Sequence, residues 1–228
     1  MKYKCVIFDC DGTLLDTLED IAAAMNQSLI LHGFTPAPLV KYRDMVGWGT
    51  IRLAELALPE DARTADNIQA VGACAQRLMD EQSVEKYLAK PYPGIRELLT
   101  ELSGLRQAKK IATAIMSNKP DSVLCRLIDV LFGPHTFDMV SGLRPGMTPK
   151  PDPQAVWEIL AEMGKNPGDT IFMGDSEIDI ETARNSGCYP LGVSWGFRSR
   201  STLEAAGAAR IIDRPEELWE LLVPSSKF

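Results

Sequence analysis

Hydrophobic positions along the chain follow two rhythms. Cys5-Val6-Ile7-Phe8 is an unbroken apolar run of strand length, stopped by Asp9, and reads as a buried strand entering the turn Asp9-Cys10-Asp11-Gly12-Thr13. From Asp16 or Thr17 the period changes. Leu18, Ile21, Ala22, Met25 and Leu29 recur at helical spacing, Thr17 and Asp20 stand at capping-box distance, and Gly33 supplies a stop. Ala-rich segments with polar faces continue this helical pattern to about Ser83, punctuated by Pro36, Pro38 and Pro59. After Pro91-Tyr92-Pro93-Gly94, helices and short apolar runs alternate. The pattern predicts helices over 95–105, 153–163, 181–186 and 215–222, and strands over 110–116, 137–141, 170–173, 191–194 and 211–212.

Such alternation predicts an α/β fold, a doubly wound parallel sheet with helices on both faces. The helical block at 16–84 interrupts the series after its first strand. It reads as a second domain inserted into a Rossmann-like core made of residues 1–15 and 85–228.

Composition narrows the function classes. The chain has 228 residues, enough for one sizeable core plus an insertion, and its formal charge of -7 argues against nucleic-acid binding, which needs a broad basic surface. No stretch approaches the length of a membrane helix, and the apolar run before Asp9 is too short for a signal-peptide core. Cys5, Cys10, Cys74, Cys125 and Cys188 are scattered, which suits reduced thiols in a cytoplasmic protein rather than disulfides or a zinc site.

In a doubly wound sheet, ligands bind outside the carboxyl ends of the strands. Here those ends carry Asp9 and Asp11, then Ser117, Asn118 and Lys119, then Lys150 in a proline-flanked turn, then Asp175 and Asp179. Four carboxylates against one lysine raise each other's pKa unless a cation sits among them. An all-oxygen set without His or Cys suits a hard ion, Mg²⁺. Two aspartates two residues apart suit divided labour: one attacks phosphorus, and the other protonates the leaving oxygen and then activates water. Gly12 permits the tight turn between them.

The segments Asp9-Cys10-Asp11-Gly12-Thr13-Leu14-Leu15-Asp16, Met116-Ser117-Asn118-Lys119-Pro120, Lys150-Pro151-Asp152-Pro153 and Gly174-Asp175-Ser176-Glu177-Ile178-Asp179 occur in that order. In them the chain resembles the haloacid-dehalogenase-like phosphatases, and within these the phosphoglycolate-phosphatase-like group. The resemblance implies that Asp9 is nucleophile and metal ligand. Asp11 would be the acid/base, with its backbone carbonyl on the metal. Ser117 and the Asn118 backbone would hold phosphoryl oxygens, with Thr13 also at the substrate. Lys150 would bridge Asp9 and phosphate, Asp175 would be the second metal-ligating carboxylate, and Asp179, the fourth metal-site residue, would orient a metal-bound water or Lys150. The helical block would be a mobile cap.

Gly47-Trp48-Gly49 resembles the cap substrate loop of that group. Its backbone N–H groups are expected to face an anionic group, with Trp48 shielding the site and Arg52 pairing a carboxylate. Lys41 and Arg43 are further candidates. Asp16 is expected to be a helix cap, Glu177 a solvated residue, and Cys10 a packing residue, because strand alternation points it away from its neighbours. Gly192-Val193-Ser194-Trp195-Gly196 matches a nucleophile elbow, but His32 and His135 both precede Ser194, the wrong order for that triad. The resulting expectation is Mg²⁺-dependent hydrolysis of a small phosphate monoester, 2-phosphoglycolate favoured, through an aspartyl-phosphate. The alternatives are a sugar-phosphate mutase and a non-catalytic binding protein on the same fold.

Overall fold

The computed structural model describes residues 1–83 and 86–223. The expected junction between residues 84 and 85 lies outside the described residues. Strand β1 (Cys5–Phe8) is followed by the two-residue β2 (Leu15–Asp16) and four helices, α1 (Leu18–Leu31), α2 (Leu39–Met45), α3 (Thr50–Ala57) and α4 (Ala65–Glu81). Then come β3 (Lys90–Pro91), α5 (Ile95–Gln107), β4 (Ala112–Pro120), α6 (Asp121–Phe132), β5 (Met139–Leu143) and α7 (Gln154–Glu162). The chain continues through β6 (Thr170–Gly174), α8 (Glu177–Ser186), β7 (Tyr189–Val193), α9 (Arg200–Ala206), β8 (Arg210–Ile212) and α10 (Trp219–Leu222).

Six strands form one parallel sheet in the order β5-β4-β1-β6-β7-β8. β1 is paired on both sides, which explains its continuous apolar sequence: a central parallel strand is covered on both faces. Period-two alternation divides its side chains. Val6, Phe8 and Cys10 join the cluster containing Leu98, Leu102 and Leu127, whereas Cys5 and Ile7 join Val156, Ile159 and Phe172. Cys10 therefore packs in the core, as its parity requires. The chain runs from β1 outward to β4 and β5, then returns to the other side of β1 at β6. That reversal places the crevice of the fold beside the ends of β1 and β6, where Asp9 and Asp175 follow.

Helices α1 to α4 bury a separate apolar cluster that includes Leu18, Ile21, Met25, Leu29, Tyr42, Leu53 and Val71. One residue from beyond β7, Phe197, enters that cluster. β2 and β3 pair antiparallel, forming a narrow ribbon where the chain leaves for the helices and returns.

Several local expectations change. Thr17 does not build a capping box: its hydroxyl donates to Asp11, and Asp20 instead accepts from the backbone N–H groups of Leu88 and Ala89. Asp16 lies in β2, and its carboxylate reaches the Leu18 N–H only at 3.5 Å. α8 starts at Glu177 rather than 181 because Ser176 and Asp179 form a full capping box. Helices α6 and α9 were not expected, and the segment from Pro215 begins as a 3₁₀ turn before α10.

Candidate active site

Asp9 leaves β1 with its N–H donated to the Met173 carbonyl at 2.9 Å, so the pairing of β1 with β6 fixes where its carboxylate begins. The Lys150 ammonium, almost fully buried, donates to Asp9 at 2.7 Å and to Asp179 at 2.6 Å. Asp179 turns its other oxygen to the Ser176 hydroxyl and N–H, so it caps α8 and faces Lys150 at once. Asp175 accepts from the Phe197 N–H at 2.7 Å and from the Thr13 hydroxyl at 3.4 Å.

Two glycines let Asp175 lie where it does. Gly12 has φ +84°, and a Cβ there would come within 2.3 Å of Asp175. A Cβ on Gly196 would meet the Asp175 Cβ at 2.3 Å and the Gly12 carbonyl at 2.4 Å. Gly196 belongs to the apparent serine elbow, so that segment serves the acidic site by its lack of a side chain. The Ser194 hydroxyl itself donates to Asp213.

Oxygens of Asp9, Asp175 and Asp179 lie within 4.8 Å of one another, and all three residues are buried. Burial, and then the charge of Asp179, push the Asp9 and Asp175 carboxyls above their ordinary range. Burial works against the Lys150 ammonium, but the charges of Asp179 and Asp9 outweigh it and hold that pKa above its usual value. Among these four groups, three carboxylates face one ammonium. The unbalanced charge and all-oxygen donor set fit a hard divalent cation.

Asp11 points elsewhere. Its carboxylate accepts from the Thr17 hydroxyl at 2.6 Å and from Lys119 at 2.9 and 3.1 Å. Ser117 is buried on the cavity wall, with its hydroxyl accepting from the Lys119 N–H. Asn118 accepts from the Lys150 N–H at 2.7 Å and donates to the Gly47 carbonyl at 2.9 Å, tying the lysine turn to the helical block.

The structure divides the residues expected in the cap loop. Gly47 and Gly49 line the cavity with Asp9, Asp11, Ser117 and Lys150. Trp48 is half-buried and is not part of that wall. Arg52 is a correction: it faces outward, half-exposed, and pairs with Glu55. Thr13 is fully buried against Asp175 and does not line the cavity. Lys41 and Arg43 are exposed. Glu177, expected to be solvated, instead pairs with Arg198 at 3.0 Å.

Sequence reasoning missed Lys119 and Arg198 as site residues. Lys119 carried a signal, since it follows Ser117 and Asn118 at a strand end. Arg198 carried none: it lies in a Ser- and Arg-rich stretch that reads as solvated, yet it is buried. It donates to the backbone carbonyls of Arg43, Asp44 and Val46 in the helical block.

Carboxylates gathered at the strand ends of a sheet with this topology fit the active site of a hydrolase. It belongs to the haloacid dehalogenase-like hydrolase family, whose family model matches residues 6–193. It is 31% identical to the phosphoglycolate phosphatase of Pseudomonas putida, across 92% of this chain and 76% of the relative. It is 30% identical to the phosphoglycolate phosphatase of Vibrio cholerae, across 98% of both. A crystal structure from Lactobacillus delbrueckii subsp. bulgaricus, of a protein proposed to be a phosphoglycolate phosphatase, superposes with a TM-score of 0.86. It is 31% identical and covers 98% of this chain and 100% of that one.

Proposed function

We propose that the protein is a Mg²⁺-dependent phosphatase that hydrolyses a small phosphate monoester, 2-phosphoglycolate foremost, through an aspartyl-phosphate on Asp9. The observation that carries this reading is the buried group of Asp9, Asp175 and Asp179, with the Lys150 ammonium bridging Asp9 and Asp179. The curated relatives named phosphoglycolate phosphatase support the choice of ester. Asp9, Asp175 and Asp179 would hold the ion, with Asp11 adding its backbone carbonyl. When bound, the ion supplies positive charge that offsets the carboxylates and the phosphoryl oxygens.

The chain's own residues then divide the reaction. An Asp9 oxygen attacks phosphorus as the ester P–O bond breaks, and Asp11 gives its proton to the departing alkoxide. In the second half Asp11 takes a proton from water, the water oxygen bonds to phosphorus, and the Asp9–phosphorus bond breaks to release inorganic phosphate. Lys150 keeps Asp9 in place and balances charge on the phosphoryl group. Ser117 and the Asn118 N–H hold phosphoryl oxygens, and Gly47 and Gly49 close the cavity around them. The free, scattered cysteines support a reducing, cytoplasmic setting.

A panel of phosphate monoesters, with 2-phosphoglycolate and sugar phosphates included, tests the reading by phosphate release with Mg²⁺ and with EDTA. Mg²⁺-dependent release, highest in kcat/KM for 2-phosphoglycolate, is expected. Transfer of the phosphoryl group to a second sugar phosphate instead of water would make the protein a mutase. No metal-dependent turnover of any ester would leave a binding protein.

A further inference from the structure

Among the described residues, three cations line the cavity: Lys119, Lys150 and Arg198. Two of them have their donors engaged by several acceptors. Lys150 bridges Asp9 and Asp179, and Arg198 joins Glu177 to three backbone carbonyls. Lys119 differs. Its side chain is only 6% exposed, and among the described residues the acceptor of its ammonium is the single carboxylate of Asp11. An ammonium has three donors, so the pairing leaves hydrogen-bonding capacity on a side chain that lines the cavity.

Asp11 has a second holder, because the Thr17 hydroxyl also donates to its Oδ1 at 2.6 Å. A buried lysine is costly unless it meets a matching charge. The cavity also has apolar lining, Ile21, Leu53, Met79 and Pro120, of which Ile21 and Met79 line a second, smaller pocket together with Lys119. Any leaving alcohol must approach Asp11 to receive its proton, so a charge carried on that alcohol comes within reach of Lys119.

We infer that Lys119 is the specificity residue that reads a negative charge on the leaving alcohol. The site thus favours a phosphate monoester whose alcohol carries a carboxylate a short carbon chain from the ester oxygen. This rests on the phosphatase reading above. One buried ammonium balances one carboxylate. A second phosphate would bring excess negative charge beside Asp11. On binding, the substrate carboxylate takes Lys119 as its partner while Thr17 retains Asp11, whose other oxygen is then free to face the ester oxygen.

The test compares 2-phosphoglycolate with 2-hydroxyethyl phosphate, which has the same length and a neutral alcohol, both with Mg²⁺. The unaltered enzyme is expected to prefer 2-phosphoglycolate by about a hundredfold in kcat/KM, the worth of a hydrogen bond between buried charged groups. Lys119→Met is expected to cut that ratio at least about tenfold, whatever it costs both esters through Asp11, and Lys119→Arg to keep most of it. Equal turnover of the two esters by the unaltered enzyme overturns the inference without any variant. So does a Lys119→Met enzyme that loses both activities in proportion, which would make Lys119 a support for Asp11 alone. Phosphate release from no ester at all overturns the phosphatase reading and this inference with it.

Discussion

The acidic rim and the loop of the helical block that covers it are held by different kinds of contact. At the rim, side chains far apart in sequence meet through their charged atoms: Lys150 and Asp9 are 141 residues apart, Lys119 and Asp11 108. The covering loop is held mainly by its backbone. Asn118 grips the Gly47 carbonyl, and Arg198 grips the carbonyls of Arg43, Asp44 and Val46. A carbonyl is the same on every residue. The rim therefore demands particular charged residues, while the loop demands a path of the chain, with glycine favoured at Gly47 and Gly49, where φ is +119° and +85°.

The largest effects should fall on the rim. Asp9→Asn keeps the shape and Lys150's partner Asp179, yet removes the attacking charge. Phosphate release should fall on the order of 10⁴-fold with the circular-dichroism spectrum unchanged. Retention of a tenth of the activity would place the nucleophile elsewhere and dissolve the contrast. Asp175→Asn should behave in two opposite ways. Turnover should drop by about a thousandfold, since several kcal/mol of charge stabilisation go with the ion. In EDTA, however, the variant should melt higher than the unaltered protein, because one like charge leaves a buried cluster in which burial and then the charges of Asp179 and Asp9 push the Asp175 carboxyl up. The rise in Tm that Mg²⁺ gives the unaltered protein should vanish in the variant. A lower metal-free Tm would mean that the bond from the Phe197 N–H outweighs the repulsion.

The same contrast explains what was legible. The rim could be assembled from the sequence because its members stand at or beside recognisable elements: Asp9 closes an apolar run, Asp175 another, and Lys150 lies in a proline-flanked turn. Lys119 was within sight but unassigned, since nothing in its neighbourhood shows that Asp11 will turn toward it. Arg198 was out of sight, because its partners are backbone carbonyls more than 150 residues away, which leave no trace in residue type. Thr17 misled for a related reason. Its spacing from Asp20 suits a capping box, but Asp11 and the returning chain at Leu88 and Ala89 claim the two side chains first. Helix α6 did carry a signal: Val123, Leu124, Leu127 and Ile128 form one buried face. The turn from β4 straight into it, at Pro120, hid its start.

Arg198→Ala tests the backbone grip. The side chain is 8% exposed and joins the core, through Glu177, to the covering loop. Its loss should reduce kcat/KM by about ten- to a hundredfold, chiefly through KM, as the loop loses charge-assisted hydrogen bonds. Arg198→Lys should restore part of this, because a lysine can still donate to one carbonyl. An unchanged KM with a lowered kcat would instead tie Arg198 to the chemistry.

The smallest effect should come from Arg52→Ala, although Arg52 lies one turn beyond Gly47 and Gly49, which line the cavity. Helix α3 begins at Thr50, and Thr50 and Leu53 both face the cavity. At 3.6 residues per turn, Arg52 lies about 200° around the helix from Thr50, on the far side. Its side chain is 51% exposed and paired with Glu55, an arrangement worth at most about 1 kcal/mol. Arg52→Ala should therefore leave kcat/KM within about twofold and stability within about 0.5 kcal/mol. A tenfold loss of kcat/KM with stability unchanged would require α3 to rotate when substrate binds. The loop would then read its ligand with a side chain after all, and the division between a side-chain rim and a backbone-held cover would fail at its weakest point.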